Sequence, residues 1–362
     1  MKKAISAIML ITILSLIGCQ SGNEDDTIKI GSILILTGDG AAWGIAARNG
    51  IEMAIDQINA DGGVLGKNLV AIHEDDGNSP AKAISAFQKL TDMDQANFII
   101  GTTWSPSGIA LIKYADEKKT IMISPSLGMK DFNEGSKYLF NTWPHDFILS
   151  QELARLAYNK GHRKVAIASV QQLWVKEQTE AFKQTFEELG GKVELIVEPD
   201  PENKGLQADV LKIKSQKDLD AIVITNDITG DIMARRLRDL GLDLPFFSLT
   251  IDKSFIKASQ GALDGTIFLT SLTPEPEFEK AYKAKYNIEL DIGADTGYDA
   301  VMLLAQAIKT TGSTDSDEIA AYLSSLKTYD GVSGHLIFDG KGGVTKPFVV
   351  KEIKNGEAVT IK

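Results

Sequence analysis

The chain has 362 residues, of which 43% are hydrophobic and 24% are charged, and its formal net charge is −11. This length exceeds what one small hydrophobic core needs, so the sequence predicts a globular protein with two lobes. The acidic balance argues against nucleic acid as a partner and against adhesion to anionic lipid, because both carry negative charge.

The N-terminal residues predict export. Lys2 and Lys3 form a short cationic start, and a charge-free apolar run follows from Ala4 to Ile17. A helix of that length spans about 21 Å, which is less than the roughly 30 Å hydrocarbon core of a bilayer. A positive start, a short apolar run and then small residues are typical of a secretory signal peptide, predicted here for residues 1–18.

Cys19 is the only cysteine of the chain, and it follows the signal peptide directly. An internal disulfide needs a second cysteine, so that role is excluded. The segment Leu16-Ile17-Gly18-Cys19 resembles a bacterial lipobox, whose cysteine carries a lipid. Residues 19–26 are then expected to be the lipidated cysteine and a flexible acidic tether, with the lipid as the protein's attachment to the cell envelope.

From Thr27 onward, short apolar strands alternate with amphipathic helices. The first half predicts strands at 28–36, 68–72, 98–100 and 120–123, with helices at 44–60, 80–93 and 106–117. The second half predicts helices at 147–160, 176–189, 295–310 and 316–326, with strands at 164–168, 193–197, 221–224, 246–248, 335–338 and 348–353. This alternation favours an α/β fold with parallel sheets that helices cover on both faces.

Five segments together resemble the type I periplasmic binding proteins of the branched-chain amino-acid class. They are residues 50–90 (GIEMAIDQINADGGVLGKNLVAIHEDDGNSPAKAISAFQKL), 98–111 (FIIGTTWSPSGIAL), 120–126 (TIMISPS), 297–309 (GYDAVMLLAQAIK) and 334–343 (GHLIFDGKGG). They occur in the family's order and spacing, and the resemblance extends from about Thr27 to the end of the chain.

The resemblance implies two Rossmann-like lobes joined by a three-crossing hinge, with a ligand cleft between them. The expected N-terminal lobe comprises 27–145 plus 274–330, and the expected C-terminal lobe comprises 146–273 plus 331–362. The crossings are expected near Asp146, Ser271 and Asp330, and the lobes are expected to close around the ligand. The implied partner is the permease of an ABC importer, and the protein itself is expected to be a monomer without a cofactor.

Two strand-to-helix junctions of the first lobe are candidate ligand loops. Ligands of open α/β sheets lie beyond the carboxyl ends of strands, where helix N-termini present free N–H groups. By the resemblance, Ser105 binds the ligand's carboxylate, and a backbone carbonyl at Ser126 and a threonine at Gly128 would complete the contacts. Gly128 replaces that threonine, which removes a hydroxyl and opens space.

Three tryptophans are candidate walls for the ligand's apolar body. Trp43 and Trp104 lie in polar or glycine-rich loops of the first lobe, and Trp174 matches an aromatic wall position of the second lobe. Trp143 lies near the expected hinge. Aromatic faces bury about 150–250 Å² each, which suits a flat or bulky apolar ligand. The competing interpretation places these side chains in the core.

The second lobe offers candidate contacts after two strands. In amino-acid binders of this class an acidic residue pairs with the ligand's ammonium, and Thr250 stands at the nearest position, with Asp252 two residues further on. Another family contact falls at Asn226, followed by Asp227. Asp227 and Asp252 therefore both remain candidates for a cation partner.

No sequence motif supports an enzyme or a metal site. The four histidines are scattered, and the chain lacks a G-x-S-x-G elbow, a P-loop and an H-E-x-x-H motif. We expect a solute-binding lipoprotein that captures a carboxylate with a bulky apolar or aromatic body by hinge closure. One alternative is a hydrophobic or branched-chain α-amino acid as the ligand, and another is a sensing role in which the closed form docks on a signalling receptor.

Overall fold

The computed structural model describes residues 27–38, 40–96, 98–202, 205–226 and 228–361. The predicted signal peptide, Cys19 and the tether lie outside these residues, as does Asp227. No helix within the described ranges is both long enough and apolar enough to cross a membrane.

The first part of the chain builds a five-stranded parallel sheet in the spatial order β2-β1-β3-β4-β5. Its elements are β1 (Thr27–Leu34), α1 (Ala41–Ala60), β2 (Asn68–Asp75), α2 (Pro80–Gln88) with a π-helical turn (Lys89–Met93), β3 (Phe98–Gly101), α3 (Ser105–Lys118), β4 (Ile121–Ser124), α4 (Lys130–Glu134) and β5 (Leu139–Asn141). Ser79 accepts a hydrogen bond from the Lys82 amide and Pro80 follows it, so α2 begins where its cap and proline predict.

The middle of the chain supplies most of a second sheet, in the order β15-β14-β10-β9-β8-β6-β7. Its elements are α5 (Asp146–Asn159), β6 (Lys164–Ala168), α6 (Leu173–Glu188), β7 (Lys192–Val197), α7 (Gln207–Ser215), β8 (Ala221–Ile224), α8 (Gly230–Asp239), β9 (Phe246–Leu249), α9 (Lys253–Ala258) and β10 (Ile267–Thr270). Strands β6 to β10 pair in parallel, which confirms the predicted α/β class.

The last part of the chain returns to both sheets. Its elements are α10 (Pro276–Tyr286), α11 (Ala294–Thr311), α12 (Ser316–Ser325), β11 (Thr328–Gly331), β12 (Gly334–Phe338), β13 (Val344–Thr345), β14 (Val349–Lys354) and β15 (Glu357–Thr360). Strands β14 and β15 extend the second sheet antiparallel, whereas β11, β12 and β13 form a separate small sheet. That small sheet packs against Leu303 of α11, and the predicted boundary after residue 330 falls inside β11.

Each large sheet is buried on both faces, as the two lobes require. In the first sheet, Ile30 and Ile100 face α1 and α11, whereas Ile33 and Ile99 face α2 and α3. In the second sheet, neighbouring residues of β8 and β9 likewise contribute to two different cores. Side chains alternate across a strand, so continuous apolar runs such as those of β3 and β8 fill the cores on both sides.

Helix α11 fixes the first crossing between the lobes. Gly50 of α1 lies so close to α11 that a Cβ there would overlap the carbonyl oxygen of Ala294. At the same helix, Thr296 Oγ1 donates to the Pro125 carbonyl at 2.6 Å, and Thr142 Oγ1 donates to the Thr296 carbonyl at 2.8 Å. These contacts hold the loop after β4 and the chain that enters α5, and both form part of the site described next.

Candidate functional site

A cleft lies between the two lobes, and its interior offers about 90 Å³ to the centres of water-sized molecules. Eight of the predicted site residues line it: Trp43, Trp104, Ser105, Ser126, Trp174, Asn226, Thr250 and Asp252. They lie in the loops that follow β1, β3, β4, β6, β8 and β9 or in the first turn of the next helix, in agreement with the rule that ligands bind beyond the carboxyl ends of strands. Trp43 was predicted in a loop, but α1 begins at Ala41 and includes it.

The first-lobe loops are held rigidly together. Ser124 Oγ donates to the Thr102 carbonyl at 2.8 Å and accepts from the Leu127 amide at 3.0 Å. Thr102 Oγ1 in turn donates to the Trp104 carbonyl at 2.8 Å. The loops after β3 and β4 therefore present their residues to the cleft as one unit.

Ser105 is the first residue of α3 and is almost fully buried in the cleft wall. Trp104 occupies the cap position and supplies no side-chain hydrogen bond to the helix, so the first amides of α3 lack a side-chain cap. Free N–H groups and the positive end of the helix dipole make such a terminus suitable for an anion.

Three tryptophans meet inside the cleft. Trp104 stacks on Trp43 with ring centroids 5.8 Å apart and an interplanar angle of 21°, and it meets Trp174 edge to face at 6.2 Å and 72°. Trp174 is the second residue of α6 in the second lobe, so this second contact joins the two lobes. Trp174 Nε1 and Ser126 Oγ are buried without hydrogen-bond partners, which leaves two polar groups at the cleft wall unpaired.

The second-lobe residues have different roles in the structure. The Asn226 side chain accepts from the amides of Ile228 and Thr229, both at 2.9 Å, and donates to the Ser169 carbonyl at 3.2 Å. Asn226 thus braces its own loop while it lines the cleft. Asp252 Oδ1 accepts from the Phe255 amide at 2.7 Å and so caps α9.

Of the predicted site residues that the structure describes, Gly128 alone does not line the cleft. A Cβ on Gly128 would overlap the carboxylate of Asp146, and the Asp146 amide donates to the Gly128 carbonyl at 3.1 Å. The space that the missing threonine was expected to open is therefore filled by Asp146. The physical reason is that the first crossing passes directly beside the loop after β4.

Asp146 is the main site residue that the sequence analysis missed. It begins α5, lines the cleft, and accepts a hydrogen bond from Trp143 Nε1 at 3.0 Å. Burial raises the pKa of Asp146 to about 6, although hydrogen bonds from Trp143 and Gln178 act in the opposite direction. The sequence feature that marks it is an acidic residue at the predicted first crossing, where only a hinge position was expected.

A second acidic side chain, that of Glu177, lies near Asp146. Burial, together with the nearby charges of Asp146 and Asp131, raises the pKa of Glu177 to about 7. Glu177 Oε2 is buried without a hydrogen-bond partner. The negative charge beside the cleft is therefore costly at neutral pH unless a positive group approaches it.

A sequence profile described as "Periplasmic binding protein" matches residues 27–358. The chain belongs to the periplasmic binding protein family. The match covers both lobes and the chain segments that cross between them.

Proteins similar to this chain in sequence and in structure are named as amino-acid-binding proteins, which agrees with this family assignment. A Leu/Ile/Val-binding protein of Rhizobium johnstonii is 28% identical over 329 residues, which is 88% of this chain and 89% of that protein. A leucine-binding protein of Thermotoga maritima has a similar structure, with a TM-score of 0.85, 27% identity, and coverage of 92% of this chain and 98% of that one. A branched-chain amino-acid transporter substrate-binding protein of Streptococcus pneumoniae, solved with isoleucine, is similar with a TM-score of 0.82 and 26% sequence identity, and the match covers 92% of this chain and 100% of that one.

Membership of the periplasmic binding protein family confirms the predicted type I fold with two lobes. It also supports a role in solute binding rather than in catalysis, since these relatives are binding proteins.

Proposed function

We propose that this protein is the extracytoplasmic solute-binding component of an ABC importer, and that its ligand is a small carboxylate with a bulky apolar or aromatic body. The observation that carries the proposal is the convergence of three tryptophans and the α3 N-terminus on one cleft between the lobes. The ligand would complete the interface of the closed form, and the closed form would then engage the permease.

The carboxylate would lie at the start of α3. There Ser105 offers a hydroxyl, and the amides of the first helical turn lack a side-chain cap. The apolar body would pack against Trp43, Trp104 and Trp174, whose rings already contact one another. Relatives named as Leu/Ile/Val-binding proteins keep a hydrophobic amino acid as the alternative ligand.

A thermal-shift screen tests solute binding. The purified chain from residue 20 onward would be heated with aromatic carboxylates, short branched carboxylates and hydrophobic amino acids. A true ligand at about a hundredfold excess over its Kd should add roughly 2.7 kcal/mol of stability. If no member of these three classes raises the melting temperature, the proposed capture role is wrong.

We further propose that Cys19 carries a lipid that tethers the protein to the cell envelope. The supporting observation is the short apolar run and Gly-Cys pair that precede an acidic tether. Expression of Cys19→Ser in the native host should move the protein from the membrane fraction to the soluble fraction. If the variant stays with the membrane after a high-salt wash, another attachment must exist.

A further inference from the structure

One face of α6 in the second lobe lies against the first lobe. Trp174 meets Trp104 there, with ring centroids 6.2 Å apart. One turn later, the Glu177 carboxylate accepts a hydrogen bond from the backbone amide of Lys130 in α4. Residues three apart on a helix share a face, so the surface of α6 that carries a tryptophan wall also places a carboxyl group between the lobes.

The surroundings of Glu177 disfavour a negative charge. Its Oε2 atom is buried without a hydrogen-bond partner. Among the described residues, the charged groups that face it are Asp146 at the start of α5 and Asp131 and Lys130 of α4; helix α3, which also packs against α6, contributes none of them. The two aspartates repel a charged Glu177, whereas Lys130 is exposed, so water screens its attraction.

The contact between the lobes is what creates this environment. If the lobes rotate apart, α6 moves away from α4, water reaches the Glu177 carboxyl, and its distance from Asp131 increases. Water stabilises the ionised form, whereas burial beside other carboxylates stabilises the neutral form. The ionised side chain therefore favours separated lobes, and the protonated side chain tolerates lobes in contact.

We propose that Glu177 makes closure of the lobes pH-dependent, so that the protein closes readily in a mildly acidic medium and opens more often in an alkaline one. This inference goes beyond the proposed function, because it concerns the protein without ligand and holds for any ligand that binds the closed form. Affinity for such a ligand should follow the closed fraction, since apparent affinity scales with the population that is competent to bind.

Protonation favours closure because the contact between the lobes raises the pKa of Glu177 to about 7, whereas an exposed glutamate has a pKa of about 4.3. Below about pH 4.3 the carboxyl is neutral in both arrangements and closure has no electrostatic cost. As the pH rises from there to about 7, the open form ionises first and gains population. Asp146 acts in the same direction, since burial raises its pKa to about 6 against the opposing charge of His145.

A second contact between the lobes opposes opening equally across this pH range. Lys253 at the start of α9 pairs with Glu289 at 3.1 Å, and Lys283 of α10 pairs with the same carboxylate. The two lysines hold the pKa of Glu289 below its usual range, so it stays ionised between pH 5.5 and pH 8. This ion pair therefore provides an attraction between the lobes that does not change with pH.

Single-molecule fluorescence energy transfer measures the closed fraction without any ligand. Cys19 is the only cysteine, so the chain from residue 20 onward with Lys113→Cys on α3 and Lys183→Cys on α6 accepts two dyes at exposed positions of different lobes. With Glu177 in place, the ratio of closed to open molecules should fall about tenfold between pH 5.5 and pH 8. Glu177→Gln cannot ionise and should reduce that fall to about threefold, the part that Asp146 contributes.

Two matched variants serve as controls. Glu180→Gln changes an exposed acidic side chain three residues further along α6 and should keep the full fall. Glu289→Gln removes the pH-independent ion pair and should lower the ratio of closed to open molecules by the same factor at both pH values, with the fall between them unchanged.

A ratio that stays constant between pH 5.5 and pH 8 overturns the inference, and so does a Glu177→Gln protein that keeps the full fall. If Glu180→Gln or Glu289→Gln abolishes the fall, its origin is not Glu177. Should Glu177→Gln not fold, Asp131→Asn at an exposed position decides: it should raise the closed fraction more at pH 8 than at pH 5.5, and an equal effect contradicts the inference. Since no ligand is present, a failure here leaves solute capture standing, and the thermal-shift screen tests that separately.

Discussion

Truncation of Trp174 to alanine should open the cleft of the unliganded protein and weaken ligand binding. Trp174 belongs to α6 and Trp104 to the first-lobe loop before α3, so their edge-to-face contact at 6.2 Å joins the two lobes. An aromatic pair of this geometry contributes about 0.5–1.5 kcal/mol beyond its buried area. Loss of that contact alone should shift the population toward the open form roughly 2- to 13-fold.

Two measurements test this expectation. Small-angle X-ray scattering should give a larger radius of gyration for unliganded Trp174→Ala than for the wild type. Calorimetry with the ligand found by thermal shift should give an affinity reduced by at least the same factor, because the ligand also loses a wall. Leu173→Ala is the matched control, since Leu173 precedes Trp174 on the same helix and is 54% exposed.

The result that would refute the reasoning is specific. If Trp174→Ala matches the wild type in both scattering and affinity, the contact between the tryptophans does not hold the lobes together. If the variant melts earlier but keeps the wild-type scattering and affinity, Trp174 acts as a packing residue of the second lobe.

Three further predictions concern the carboxylate site, the buried acid and the hinge. Ser105→Ala should weaken the binding of a carboxylate ligand by about 1–3 kcal/mol in calorimetry, whereas substitution of the exposed Ser85 of α2 by alanine should leave binding unchanged. If Ser105→Ala binds the ligand as tightly as the wild type, Ser105 does not belong to the site. Because burial raises the pKa of Glu177 to about 7, its ionised form destabilises the fold as pH rises from about 4.3 to 7. Glu177→Gln should therefore raise the melting temperature more at pH 8 than at pH 5, unlike exposed Glu180→Gln; an equal gain at both values would contradict the assigned pKa. Lys346 is buried near the carboxylates of Asp295 and Asp299, so Lys346→Met should lower the free energy of unfolding in urea by about 3–5 kcal/mol. A loss below about 1 kcal/mol would show that this ion cluster does not stabilise the fold.

Local sequence patterns were sufficient for most elements. The apolar runs at 164–168 and 221–224 became β6 and β8 with the predicted bounds, because four or five consecutive apolar residues between polar turns suit a fully buried parallel strand. The elements that were not predicted are helices α4, α9 and α10 and strands β5, β10, β11, β13 and β15. Only a crossing was predicted near Ser271, whereas α10 begins shortly after it at Pro276, where a proline is tolerated at the first helical position.

The sequence by itself determined the α/β class, the strand-to-helix junctions that carry the tryptophans and the serine at the start of α3, because each depends on residues that are neighbours along the chain. Only the tertiary structure decided which side chains face one another across the cleft. Gly128 and Asp146 are separated along the chain by α4 and β5, yet the first crossing brings the carboxylate against the glycine. Trp104 and Trp174 meet only because two separate sheets face each other. Contacts of this kind depend on how the lobes are oriented, and no periodicity within either lobe encodes that orientation.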